Sequence, residues 1–263
     1  MKTKNGKNGA NTVSDTTAKL LEQLKAMHLS YVAQNFELQA QKASLAQSSH
    51  VDYLAQLIDG ETCGREDRST ERRIAAARLP VLKTLEQFEW SWPTSINQMQ
   101  IRHLFRLDFM KENGNVIFIG NVGLGKSHFA TALAHAACLH GHSALFTTAI
   151  NIINSIAAAQ ATGSIKREMS KYLKPSILVI DELGYLPIDK FGADCLFQVI
   201  SGRYERNSTI ITTNRAFKNW AEIFNNDSVI TSALLDRLLH HAETVLIEGK
   251  SYRMKDQIDN LKV

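Results

Sequence analysis

The chain has 263 residues, 44% of them apolar and 21% charged, with 14 glycines and 4 prolines, a composition that excludes collagen-like, low-complexity and largely disordered chains. Its 30 Lys and Arg against 26 Asp and Glu leave a formal charge of only +4, which admits a nucleic-acid partner without establishing one. The length suits one α/β core with a smaller satellite. No apolar run is long enough to span a membrane, and the basic, polar opening MKTKNGKNGANT lacks the apolar centre of a secretory signal. The three cysteines, Cys63, Cys138 and Cys195, are far apart and argue against a disulfide framework. No carboxylate or thiol joins the pairs His140/His142 and His240/His241 at ligand spacing, so these read as surface or packing histidines. A cytoplasmic location is expected.

Residues 1–15 read as a disordered basic leader. Leu20, Leu24, Met27 and Tyr31 then recur at helical spacing, predicting one amphipathic helix through Phe36 and Leu38. Ser49 stands three residues before Asp52, a capping-box-like start. From it Tyr53, Leu54, Leu57 and Ile58 carry a second helix to a stop at Gly60. Segment 65–79 predicts a third helix, ended by Pro80. Residues 16–80 are therefore expected to form a small all-helical unit. Within it Arg65, Arg68, Arg72 and Arg73 interleave with Glu66, Asp67 and Glu71, which favours an ion-paired helix face over a DNA-binding one. Residues 81–113 read as a connector. Its aromatic residues, Phe88, Trp90 and Trp92, are read as packing anchors, with stacking on a nucleotide base as the alternative.

From Asn115 the texture changes. Short β-rich runs at 115–119, 144–148, 176–180, 209–213 and 244–248 alternate with helical patterns. That alternation predicts a parallel α/β sheet covered by helices on both faces.

The first run leads directly into Gly120-Asn121-Val122-Gly123-Leu124-Gly125-Lys126-Ser127, followed by His128 and a helical pattern. This is G-x-x-x-x-G-K-[ST] in its strand–loop–helix context, a phosphate-binding loop. Its glycines let consecutive N–H groups and the helix N-terminus face a phosphate. Lys126 is expected to reach the β- and γ-phosphates and Ser127 to ligate Mg²⁺. Four apolar residues, 177–180, end in Asp181 and Glu182. Asp181 is expected to orient the Mg²⁺ shell and Glu182 to polarise the attacking water. The adjacent Glu favours nucleotide hydrolysis over a metabolic kinase, which must exclude water. The run 209–213 ends in Asn214, which would lie beside the γ-phosphate if its strand runs between the other two.

The segments DELGYLPID (181–189), GRYERNSTIITTN (202–214), LLDRLLHHA (234–242) and GKSYRMK (249–255) resemble the IstB-like helper ATPases of insertion-sequence transposition, AAA+ proteins related to the DnaC helicase loader. The resemblance covers about 85–258 and, more loosely, 20–80. Asn121 and Val122 depart from the Pro found in many AAA+ loops, a departure that leaves the backbone cradle intact. The resemblance implies an AAA+ P-loop NTPase domain over 114–258 with a short tail at 259–263. It also implies ATP with Mg²⁺ as cofactors. Asn214 matches the family's sensor, Arg237 its arginine finger into a neighbouring subunit, and Arg253 its second sensor.

Related initiators and loaders place DNA-facing helices between the second and third strands. There Lys166, Arg167, Lys171 and Lys174 recur at helical offsets with only Glu168 opposing them. The implied partners are duplex DNA bound largely without sequence preference, further copies of the chain, and a transposase or integrase. A replicative helicase loader, or a nucleotide-gated DNA scaffold with incidental turnover, remains the alternative. No carboxylate triad is spaced as in a nuclease, so the chain itself is not expected to cut DNA.

Overall fold

The computed structural model describes residues 8–92 and 95–252, with side chains from Asp15 onward. Contacts divide the chain into two compact units, Met1–Glu71 and Arg72–Val263.

The first unit is helical. It holds α1 (Asn8–Ala26), α2 (Ser30–Leu45) and most of α3 (His50–Ala76). Leu24, Val32 and Leu57 form its buried centre, with Leu29, Ala33, Phe36 and Tyr53 packed around them. Three expectations are corrected here. The leader gives way to helix from Asn8, while its first seven residues lie outside the described ones. The single helix through Leu38 is two, because His28 takes a left-handed φ of +55° between them. That break is held by Glu61, whose carboxylate accepts the N–H groups of Tyr31 at 2.7 Å and Val32 at 3.3 Å. It caps α2 from a distance, a role that Leu29 at the cap position has no side-chain acceptor to fill.

Finally, α3 runs straight through Gly60. A Cβ there would lie 2.0 Å from Tyr31 Cε1, so this glycine admits a ring rather than stopping a helix. The capping box at its start is present: Asp52 N donates to Ser49 Oγ at 3.1 Å and Ser49 N to Asp52 Oδ2 at 3.3 Å.

The second unit continues through α4 (Gln98–Leu104), capped by the Asn97 side chain, into β1 (Asn115–Gly120), α5 (Lys126–Leu139) and β2 (Ala144–Thr148). Then follow α6 (Ala149–Ala161), α7 (Ile165–Leu173), β3 (Ile177–Leu183), α8 (Lys190–Arg203) and β4 (Ser208–Thr213). The described chain closes with α9 (Trp220–Ile223), α10 (Ser228–Leu239) and β5 (Ala242–Ile247). The five strands pair in parallel in the order β2-β3-β4-β1-β5.

Strand periodicity sorts the core into two layers. Val116, Phe118, Val179 and Ile210 face α5 through Phe129 and Leu133 and also meet Ile101 and Leu104 of α4. Ile117, Ile180 and Ile211 face the other way, against Ile152, Leu196, Leu234 and Trp220. Alternate residues of one strand thus bury against opposite helix layers, which is why these runs are continuously apolar. Because all strands run the same way, their carboxyl ends share one edge, where β1, β3 and β4 deliver the loop, the acid pair and Asn214.

Candidate nucleotide site

The phosphate-binding loop depends on its glycines individually. Gly123 and Gly125 adopt φ of +80° and +91°, the left-handed region. A Cβ on Gly120 would lie 2.2 Å from the Ile247 carbonyl oxygen, and one on Gly123 would lie 2.0 Å from Ser251 Oγ. Leu124 is buried in the core beneath the loop, while Asn121 and Val122 are exposed. Leu124 therefore contributes its backbone to the cradle and anchors it with its side chain. Lys126 Nζ donates to the Asn121 carbonyl at 2.7 Å, which folds the lysine back over the loop.

Asp181 is buried at the tip of β3 and accepts from Ser127 Oγ at 2.8 Å and from the Thr212 hydroxyl. Thr212 Oγ1 in turn accepts from Glu182 N at 3.0 Å. The pairing of β3 with β4 slips between Ile180 and Leu183, and Glu182 takes a φ of +61°. This bulge turns Glu182 outward while Asp181 stays inside. Glu182 thereby lines a cavity of about 110 Å³ together with Gly123, Lys126, Ser127, Thr212 and Asn214. Strand β4 does lie between β3 and β1, which meets the condition set for Asn214.

A second cavity, of about 340 Å³, opens on the other side of the loop between Lys83, Gln87, Trp92, Gly125, His128 and Tyr252. Of the connector's aromatic residues, Phe88 both packs on the core and lines this cavity, Trp90 packs, and Trp92 faces the cavity. Phe88 and Trp90 pack on Phe129, with ring centroids 4.2 and 5.9 Å away. Trp92 instead forms a cavity wall with Tyr252, its indole N–H donating to the Lys250 carbonyl at 2.7 Å. Tyr252 latches onto the loop, N–H to the Gly123 carbonyl at 2.9 Å, and its hydroxyl donates to Glu89 at 3.1 Å. His128 Nε2 sits 2.8 Å from the Thr84 carbonyl, and burial pulls its pKa below the ordinary imidazole value. Thr212, Lys83, Gln87 and Tyr252 escaped the reading of the sequence. Thr212 and Tyr252 lie inside segments that carry the family resemblance but gave no sign of a role, and Lys83 and Gln87 belong to no local motif; only the fold brings all four to the loop.

Arg237 lines neither cavity. Its Nη1 donates to the Ala233 carbonyl at 2.8 Å, and its guanidinium lies 5.1 Å from the centre of the Phe197 ring. Arg253 lies outside the described residues. Lys166 and Arg167 are exposed on α7, and Lys171 pairs with Glu168. Lys171 and Lys174 also line a groove at β2 with Arg78 and Tyr172, so the cationic surface includes a residue from just beyond α3. Arg65 and Arg68 bind Glu61 at 3.1 and 3.2 Å, the ion-paired arrangement favoured for that face. Burial pushes the Glu61 carboxyl up, but the Arg65 hydrogen bond and the Tyr31 and Val32 N–H groups outweigh it and hold the carboxyl below its ordinary range.

A parallel sheet with this strand order, a phosphate loop after β1, an acid pair ending β3 and a polar tip ending β4 define an AAA+ P-loop NTPase fold. Solved structures agree on the fold. The DnaC helicase loader superposes with a TM-score of 0.53 at 22% identity, over 63% of this chain and 96% of that one. AMPPCP-bound DnaA from Aquifex aeolicus gives 0.55 at 18% identity, over 70% of this chain and 56% of that one.

The family described as IstB-like ATP binding protein matches residues 22–260, and the chain belongs to it. An insertion-sequence IS21 protein of Pseudomonas aeruginosa, named for ATP binding, is 38% identical over 90% of this chain and 88% of its own length. One from IS5376 of Geobacillus stearothermophilus, also named for ATP binding, is 35% identical over 88% of this chain and 92% of its own.

Proposed function

We propose that the chain hydrolyses ATP with Mg²⁺ and, as an oligomer on duplex DNA, assists the transposase of an insertion sequence. The observation that carries the hydrolytic part is the bulge that aims Glu182 into the cavity shared by Lys126, Ser127 and Asn214. The donor set fits the metal, since the Ser127 hydroxyl and the Asp181 carboxylate are oxygen ligands already 2.8 Å apart. A bound Mg²⁺ supplies charge that stabilises the transferring phosphoryl group.

The chain's own residues supply the rest. Backbone N–H groups of 121–128 surround the phosphates, and Lys126 leaves the Asn121 carbonyl to meet the γ-phosphate. Glu182 accepts a proton from the attacking water while Asn214 orients it. The cavity between Lys83, Trp92, His128 and Tyr252 takes the base and ribose.

Arg237 completes the site of a neighbouring copy, because it reaches neither cavity of its own chain. Arg253 follows directly on the Tyr252 latch and serves as the second sensor. Lys166, Arg167, Lys171 and Lys174 meet DNA phosphates, contacts that carry no base information. The helices over 16–80 select the partner, the segment 81–113 connects, and 114–258 is the ATPase domain. The insertion-sequence names of the relatives support a transposase over a helicase as that partner.

The deciding variant is Glu182→Gln. It should retain ATP and lose turnover by about 100-fold or more, measured as phosphate release beside equilibrium nucleotide binding. Unchanged turnover would remove Glu182 from the mechanism.

A further inference from the structure

The turn from α8 into β4 and the turn from α10 into β5 lie side by side at the amino-terminal edge of the sheet, opposite the nucleotide cavities. Glu205 sits on the first, His240 and His241 on the second, and one ligand atom from each lies within 4.8 Å of the other two. Sequence spacing hid this, since the glutamate precedes the histidine pair by a whole strand and helix. The reading of His240 and His241 as histidines without a carboxylate companion is therefore corrected.

We propose that Glu205, His240 and His241 bind a divalent transition-metal ion of the zinc class. The Glu205 Oε1 to His240 Nδ1 separation is 3.9 Å, and the two imidazole centroids are 4.1 Å apart. Ligand bonds of about 2.0–2.2 Å require donor atoms roughly 3.3 Å apart around a tetrahedral ion. Small rotations of three exposed side chains close that difference without moving the backbone.

The backbone itself is fixed. The Glu205 carbonyl accepts from Asn113 Nδ2 at 3.0 Å, and the His241 carbonyl accepts from Asn115 N, at the start of β1, at 2.6 Å. Glu205 holds a φ of +57°, in the left-handed region that non-glycine residues adopt infrequently. Tyr204 shares a hydrogen bond of 2.9 Å with the same His240 Nδ1, so an ion bound at that nitrogen takes the place of the phenol.

Two imidazole nitrogens and one carboxylate suit zinc, nickel or copper, whereas Mg²⁺ and Ca²⁺ prefer all-oxygen shells. Three protein ligands on an exposed surface leave a position for water. The ion would staple the two turns together, three residues beyond Arg237 on the same helix end.

The test uses the full chain, tag-free and without nucleotide, carrying Cys63→Ser to remove the exposed thiol. Zinc titrated by calorimetry should bind at one ion per chain. Saturating zinc should raise Tm by about 5 °C, and Mg²⁺ at the same concentration should not. His241→Ala and Glu205→Gln should each weaken zinc binding at least tenfold, while His140→Ala/His142→Ala should leave it unchanged. Equal zinc affinity in His240→Ala/His241→Ala, or no one-to-one binding in the parent, overturns the proposal. Should His241→Ala fail to fold, Glu205→Gln, isosteric and exposed, decides.

Discussion

Asp181 and Glu182 are sequence neighbours that the structure sends in opposite directions, one into the core and the other into the cavity. Thr212 makes that possible. Its hydroxyl donates to Asp181 and accepts from Glu182 N, so one side chain of β4 fixes both acids. Thr212→Val keeps the shape and β-branching but removes both hydrogen bonds. Turnover should fall about tenfold, roughly what a misplaced 1.4 kcal/mol interaction costs, with ATP affinity nearly intact. Thr212→Ser should restore most of it, and a valine variant with full turnover would leave Thr212 a packing residue. The acids themselves were legible because they follow four apolar residues in an unbroken motif. Thr212 was not, because a threonine inside TIITT reads as an ordinary β-branched strand residue until its neighbour strand is known.

At the scale of elements, all five strands were legible to within three residues at either end, since apolar runs bounded by helical patterns leave little freedom. The N-terminal helices were not. Helical periodicity persists across the break at His28, and the group that stabilises the break, Glu61, comes from another helix.

Arg203 is equally hidden in sequence and ties elements of the sheet domain together. Fully buried, its guanidinium donates to the carbonyls of Tyr172 at 2.7 Å, Pro175 at 2.9 Å and Ser176 at 3.4 Å, to that of Ser208, and through Nε to Thr209 Oγ1 at 3.1 Å. Burial pulls its pKa down to about 9, which still leaves it charged at neutral pH. The cation therefore sits at the carboxyl end of α7, where the helix dipole favours it. Arg203→Met fills the space but strands these acceptors, and should lower unfolding free energy by about 3 kcal/mol. Urea unfolding followed by the combined fluorescence of Trp90, Trp92 and Trp220 measures this, and a loss below the error of extrapolation would show that the acceptors find other donors.

At the scale of the whole molecule, Arg237 carries the strongest consequence. It forms no carboxylate ion pair among the described residues, lines neither cavity beside the phosphate loop, and rests on Phe197. A guanidinium parked on a ring is held in position at little desolvation cost and remains available to an anion on another molecule. If it serves the site of a neighbour, two inactive variants must complement one another. Lys126→Ala has an impaired site with an intact finger, and Arg237→Ala has an intact site without one. In an equal, randomly mixed assembly, half the sites are intact and half of those face an intact finger. About a quarter of the parent rate should then return, although neither variant turns over alone. A finger acting within its own chain predicts no recovery at any mixing ratio, because no chain in the mixture carries both groups. Phosphate release plotted against mixing ratio separates the two: a maximum at equal proportions requires assembly, and a flat baseline confines Arg237 to its own subunit.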